Sequence, residues 1–218
     1  MTDAASSDPS LPDGQALAAL VAGKLCHDFI SPAGAIMSGL DLLEDPSAAD
    51  MRDDALGMIA DSGRKLVALV HFARVAFGAA TTAERFSGET LKGLVEGLIT
   101  GGRATMEWKA EGDFSKPQAR ALLNLAYLTV LALPSGGAAT ISAHRASDGV
   151  VLLGSAEGNR ARLKPEAATG LAGQPLTDGL QGQWIQPYWL WLTVRDAGGT
   201  LDVETAEGLF RLTARMPS

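Results

Sequence analysis

Cysteine occurs once, at Cys26, so neither a disulfide within the chain nor a cysteine-based metal cluster can form. Histidine is nearly as scarce, and His27, His71 and His144 lack the spacing of a zinc site. Basic side chains are in the minority. With 18 Lys and Arg against 25 Asp and Glu the net charge is -7, which disfavours attraction to phosphate backbones or anionic lipid. Nucleic acid and membrane are therefore not expected as partners. A run of about 18 apolar residues is also missing, and the polar, acidic start lacks the order of an export signal. A reducing, cytoplasmic setting is expected.

What is present is a globular composition. Hydrophobic residues make up 46% and charged residues 20%, and 218 residues suffice for one large domain or two small ones. The small, breaker-rich stretch Gly78-Ala-Ala-Thr-Thr82 divides two textures. The expected organisation is a flexible N-terminal tail over residues 1–14, a helical hairpin over 15–80 and a mixed domain over 81–218. Most of the acidity lies in the first part, where eleven acidic side chains face five basic ones.

Over residues 15–43, Cys26, Phe29, Ile30, Ala33, Ile36, Met37, Leu40 and Leu43 recur at three- and four-residue intervals, the stripe of an amphipathic helix. Glu44-Asp45-Pro46-Ser47 ends it. A second stripe starts at Ala48 or Asp50 and runs through Met51, Ala55, Met58, Ile59, Leu66, Leu69, Val70, Ala73 and Phe77. A lone hairpin cannot bury both stripes completely, so pairing with a second copy as a homodimeric four-helix bundle is expected.

The remainder alternates between the two periodicities. Helices are expected over 90–99, 116–133 and 186–197, and strands over 104–110, 138–143, 149–153, 200–205 and 209–214. Residues up to about 183 before the last helix read as a long loop rich in Gly, Pro and Thr. Helices on one face of a largely antiparallel sheet is the simplest arrangement of these pieces.

Chemistry concentrates in Lys24-Leu-Cys-His27-Asp28-Phe-Ile-Ser31-Pro32. His27 lies about 100° around the helix from Cys26, off the apolar stripe, and should reach solvent. Ser31, Gly34 and Ser38 follow on its own face, all small, a smooth track for another protein to press against rather than a deep substrate pocket. Pro32 removes the hydrogen bond to the Asp28 carbonyl, should bend the helix and costs about 3 kcal/mol. Such a local rule-break beside a titratable residue points to a functional site. His71 and His144 have no such surroundings and read as ordinary structural positions.

His27-Asp28-x-x-x-Pro32 resembles the His box of the dimerisation and phosphotransfer domain of sensor histidine kinases. Leu122-Leu-Asn124-Leu-Ala-Tyr-Leu128 with Pro134-Ser-Gly-Gly137 resembles the N-box of the kinases' ATP-binding domain, and residues 188–199 its last helix. The resemblance implies an α+β fold: an N-terminal helical hairpin forming a dimeric four-helix bundle, then a histidine-kinase-like (Bergerat or GHKL-type) α/β sandwich domain. The nucleotide boxes depart from the pattern. Leu128 stands where the magnesium-binding Asn belongs, and leucine cannot coordinate Mg²⁺. Gly154-Ser-Ala-Glu-Gly158 lacks the Asp that accepts from adenine, and Trp184 and Tyr188 would crowd a phosphate loop. Loss of ATP binding is implied, with no cofactor of the protein's own.

A phosphotransfer hairpin fused to a degenerate kinase domain resembles the ChpT type of histidine phosphotransferase. Gly158-x-Arg160-Ala-Arg162-Leu and Ile185-Gln-Pro-Tyr188 are similar to that group specifically. The resemblance implies a cell-cycle phosphorelay in which the receiver domain of a hybrid histidine kinase phosphorylates His27, and His27 then serves response regulators, CtrA-like and CpdR-like. Asp28 would orient or activate His27, and Mg²⁺ would belong to the receiver. Lys24, Ser31, Gly34 and Ser38 are the candidate partner contacts, though Lys24 as a solvated cation and Ser31 as a merely small residue stay open. Arg160, Arg162 and Lys164 form a basic patch that either keeps anion affinity or is a solvated loop. Trp184, Tyr188, Trp189 and Trp191 are core or an exposed partner surface. Two rival readings are an active ATP-dependent histidine kinase with divergent boxes and a scaffold whose histidine is never phosphorylated.

Overall fold

The computed structural model describes residues 10–78 and 83–217. Most of the expected tail over 1–14, and the expected boundary at about residue 80, lie outside the described residues. Helix α1 (Gly14–Glu44) starts where the Asp13 carboxylate accepts from the Ala16 amide at 2.8 Å, pairing one of the donors a helix start leaves free. Pro32 is buried inside α1, and the helix runs through it unbroken. Packing of both halves against the next helix outweighs the one backbone bond that proline removes.

Asp45 organises the reversal. Its carboxylate accepts from the Ser47 hydroxyl (2.7 Å) and the Ser47 amide (2.8 Å), starting a 3₁₀ turn over Pro46–Met51, and these bonds hold the Asp45 carboxyl below its usual range. Helix α2 (Arg52–Ala76) then returns along α1. The two approach closely at buried Gly39, where an added Cβ would stand 2.6 Å from the Ile59 side chain.

The hairpin does not stand apart from the rest of the chain. Phe72 and Ala76, near the end of α2, belong to the same buried cluster as the core of the second part. Ala76 closes α2, so its carbonyl has no helical donor of its own. Two side chains supply the donors: Asn124 Nδ2 at 2.9 Å and Trp189 Nε1 at 3.0 Å.

Beyond the hairpin the chain runs β1 (Arg85–Ser87), α3 (Gly88–Ile99), β2 (Ala104–Lys109), β3 (Asp113–Ser115), α4 (Lys116–Leu131), β4 (Gly137–Ala146) and β5 (Gly149–Glu157). It continues with α5 (Pro165–Leu171), α6 (Gln181–Asp196), β6 (Thr200–Ala206) and β7 (Leu209–Pro217). Strands β1 and β3 form a small antiparallel pair, and the others a five-stranded sheet in the order β2-β4-β5-β7-β6. Only the β2–β4 pair of that sheet is parallel. One face of the sheet carries Ile141, Leu152, Phe210 and Leu212, which are buried in the core with Leu122 and Leu125 of α4. Close approach of α4 requires Gly154, because a Cβ there would meet Thr129 Oγ1 at 2.1 Å. The outer face is polar, with Arg211–Glu204 and Arg215–Asp202 pairs bridging β7 and β6. The chain is thus α+β, a helical hairpin built onto a layer of helices over one sheet.

Three expectations change. The long loop before the last helix contains α5, with Pro165 at its first position and Glu166 in its first turn, signals too brief to show periodicity over seven residues. Helix α6 begins at Gln181 rather than near 186, because burying Trp184 and Ile185 outweighs the interior Pro187. Strands β1 and β3, of three residues each, are too short to show alternation. Among the described residues no helix is long and apolar enough to cross a membrane.

Candidate functional site

His27 stands on the solvent side of α1, with a side chain 86% exposed. Its Nδ1 lies 3.4 Å from Asp28 Oδ1, which leaves Nε2 facing outward. The other Asp28 oxygen, Oδ2, accepts from the Lys24 ammonium one helical turn earlier. Lys24, a candidate partner contact, has a side chain only 11% exposed, bridging to Asp28. Ser31, Gly34 and Ser38 are all exposed, and Gly34 opens onto free space.

Behind the carboxylate, α4 presents Tyr127. Burial, and then the negative charge of Asp28, push its phenol up to about 12, so it stays a neutral O–H at neutral pH. Its ring packs on Phe72 at 5.4 Å between centroids, tying the floor of the site to α2. The N-box-like segment contains Tyr127 but gives it no role. Its proximity to Asp28 depends on how α4 crosses the hairpin, which no local pattern encodes.

Two clefts open beside His27. One, of about 840 Å³, lies between the hairpin and the end of α3 and is lined by His27, Ser31, Lys65, Thr100 and Tyr127. Lys65 is anchored there, donating to the Leu98 carbonyl at 2.6 Å. The other, of about 490 Å³, lies between α1, the end of α4 and the starts of α5 and α6. Lys24, His27 and Leu128 line it on one side, Arg162, Lys164 and Pro187 on the other. Arg160 is exposed just before this rim.

The second cleft occupies the place of the nucleotide boxes, and their residues have other duties. Asn124 is fully buried: its amide nitrogen donates to the Ala76 and Arg120 carbonyls, and its oxygen accepts from Gln186 Nε2 at 3.2 Å. Leu128 is buried against the cleft. Trp184 stacks on Tyr188 at 4.4 Å, and both form a second core with Leu17, Leu20 and Val21 of α1. Trp189 reaches the Ala76 carbonyl, and Trp191 is half-buried beneath the Arg195 guanidinium at 4.5 Å. Of the two readings of the aromatics, core is the one found. Burial raises the Tyr188 phenol, with Arg195 lowering and Asp196 raising it by smaller amounts.

His71 and His144 are both exposed, the first beside an apolar groove on α2, the second near Ser142 at the end of β4. Among the described residues no group of three or more His, Cys, Asp or Glu side chains is arranged to hold a metal ion.

An exposed histidine beside an ordered carboxylate, between two open clefts, suits transfer between proteins. A family model described as histidine phosphotransferase C-terminal domain matches residues 88–208, more than half of the chain. The chain belongs to the histidine phosphotransferase family. It is 29% identical over 197 residues to the protein phosphotransferase ChpT of Brucella abortus (strain 2308), covering 88% of this chain and 92% of that one. A solved structure of a bacterial phosphotransferase superposes with a TM-score of 0.83 at 25% identity, covering 95% of this chain and 100% of the other. This histidine phosphotransferase is of the ChpT type and acts in two-component signalling.

Proposed function

We propose that this phosphotransferase relays a phosphoryl group from the aspartyl phosphate of a receiver domain in a hybrid histidine kinase, through His27, to the Asp of response regulators. The observation that carries the reading is the geometry at His27: Nδ1 faces Asp28, Nε2 faces solvent, and only small side chains follow along the helix. Asp28 favours the tautomer with the proton on Nδ1, so the lone pair is on Nε2. Nε2 attacks phosphorus in line as the bond from phosphorus to the donor's carboxylate oxygen breaks. The ring becomes positively charged while its Nδ1 proton stays toward Asp28, which stabilises that charge. Transfer to the next receiver reverses these steps. The Mg²⁺ and acidic residues that such a transfer needs belong in this reading to the receivers, and the resemblance points to CtrA-like and CpdR-like recipients in a cell-cycle relay.

Supporting the absence of an ATP-driven step, Asn124 is committed to structural bonds and Leu128 lines the cleft where a metal-binding amide would stand. Labelled ATP alone is expected to leave the protein unlabelled, and a labelled, phosphorylated receiver is expected to label it. Acid-labile label from ATP alone would make it a working kinase.

The same reading includes a homodimer. Ile30 (69% exposed) and Met37 (57%) on α1 and Val67 (54%) on α2 continue an apolar face pointing away from the hairpin's own interface, with Leu40, Leu56 and Val70 beside them. Pairing two hairpins would bury this face. Met37→Glu places a charge within it, without disturbing the core of one chain. The full-length protein is expected to weigh as a dimer by light scattering and the variant as a monomer, its dissociation constant raised at least about 100-fold. A dimeric variant would put the interface elsewhere.

A further inference from the structure

We infer that the cleft of about 490 Å³ between α1, the end of α4 and the starts of α5 and α6 binds a small organic anion with an apolar body, held without a metal ion. This goes beyond the reading of His27 as phosphoryl acceptor and does not rest on it. The volume lies within the range of small-molecule sites, about 300 to 1,000 Å³. Much of the lining is apolar: Leu128, itself buried, lies there with Pro134, Leu163 and Pro187. Leu131 and Leu180 line the cleft too and are 53% and 63% exposed, so both have apolar surface left to bury.

The charge of the lining is opposite to that of the chain. Lys24, Arg162 and Lys164 accompany one carboxylate, Asp28, in a protein whose net charge is -7. Asp28 already accepts from Lys24, which leaves the two cations of the far wall. Their places are set by the backbone: the Arg162 amide donates to the Ala132 carbonyl at 2.9 Å, and the Lys164 carbonyl accepts from the Ala168 amide at 3.1 Å as α5 begins. Both residues are exposed, and among the described residues neither has an acidic partner. Glu166, in the first turn of α5, accepts instead from the Leu180 amide at 3.3 Å. Two unpaired cations beside leucines fit a ligand whose phosphate or carboxylate meets the cations while its body meets the leucines. Among the described residues the lining has no free carboxylate, so it offers no side chain for the divalent cation that accompanies a nucleoside triphosphate.

The test titrates full-length, nitrogen-15-labelled protein in EDTA with 1-naphthyl phosphate, 1-naphthoate, 1-naphthol and inorganic phosphate, following the amide signals by NMR. The better of the two naphthyl anions is expected to bind with a Kd of about 10⁻⁴ to 10⁻³ M, the scale of small-ligand efficiency, and to move the amides of Arg162, Leu163, Leu180 and Gln181. Which of the two binds tighter tells a phosphate site from a carboxylate site. Naphthol, which has only the body, and inorganic phosphate, which has only the charge, are each expected to bind at least about tenfold more weakly. Mg²⁺ in place of EDTA is expected to leave the Kd within about twofold. Arg162→Gln combined with Lys164→Gln, both at exposed positions, is expected to raise the Kd about tenfold, and Leu180→Ala about threefold.

Naphthol or inorganic phosphate binding as tightly as the naphthyl anions would overturn the assignment, since the cleft would then read only an apolar body or only a charge. So would a Kd unchanged in the double variant, or one tightened about tenfold by Mg²⁺, which would return the cleft to nucleotide chemistry. No saturable shifts by about 5 mM would also end it. If the same amides then respond to an added receiver domain, the cleft is a protein-docking surface. None of these readouts needs phosphotransfer, so the ligand site and the acceptor role of His27 stand or fall separately.

Discussion

His27→Ala is expected to accept no phosphoryl group from a phosphorylated receiver while keeping the stability of wild type. The two halves of that outcome have separate causes. The side chain is 86% exposed and its one close neighbour is Asp28 at 3.4 Å, so its removal should change stability by less than about 0.5 kcal/mol. Alanine has no lone pair to attack phosphorus, and transfer should fall by at least about 10⁴-fold, to the background of direct hydrolysis. Acid-labile label and a urea titration on the same sample check both. Label persisting on His27→Ala would move the nucleophile to one of the other exposed histidines, His71 or His144, and would end the relay mechanism through His27. A large loss of stability would mean that the His27 ring makes packing contacts of its own in solution.

The second large effect is structural. Asn124→Ala removes three hydrogen bonds from a fully buried site and leaves the Gln186 amide without its acceptor. One lost bond costs about 1 kcal/mol, and a stranded buried donor adds about 1 to 3 kcal/mol. Two lost bonds and the stranded donor total about 3 to 5 kcal/mol, which corresponds to about 6 to 20 °C in melting temperature for a chain of this size. The Ala76 carbonyl keeps Trp189, so the variant should still fold, with the end of α2 more loosely held. Calorimetry of both proteins, with and without Mg²⁺ and ATP, separates a structural role from a ligand role. A melting temperature unchanged by the substitution would end the structural role, and a rise with nucleotide in wild type that Asn124→Ala loses would show that Asn124 still serves a nucleotide.

These two residues illustrate different kinds of legibility. The exposed place of His27 beside Asp28 could be read from the chain because its signals are local: an acidic follower, a proline five residues on, and small residues at helical spacing. Asn124 could be placed in its motif but not understood there. Its partners are Ala76, 48 positions away, and Gln186, 62 positions away, and the spacing of a motif says nothing about bonds across such distances.

Lys24 falls between these cases. Its i, i+4 relation to Asp28 is local, yet a lysine on a helix can as well extend into water. The neighbouring wall formed by α4, α5 and α6 makes the carboxylate its resting place. Similarly, the aromatics near residue 184 announced a hydrophobic site without saying whether a partner or the protein itself covers it. The N-terminal half of α1 settles the matter for Trp184 and Tyr188 by lying across them.

The two long helices, most of the strands, the proposed acceptor His27 and the altered nucleotide-box side chains were all legible in the sequence. Each of these depends on the order of residues within a few turns or one strand. That the end of α2 is built into the core of the sheet domain, that β2 joins the sheet parallel to β4, and that His27 sits between two clefts emerges from the folded chain alone. Those features arise when buried donors, acceptors and apolar faces find partners far along the chain, because an unpaired group in the interior costs more free energy than any local preference supplies.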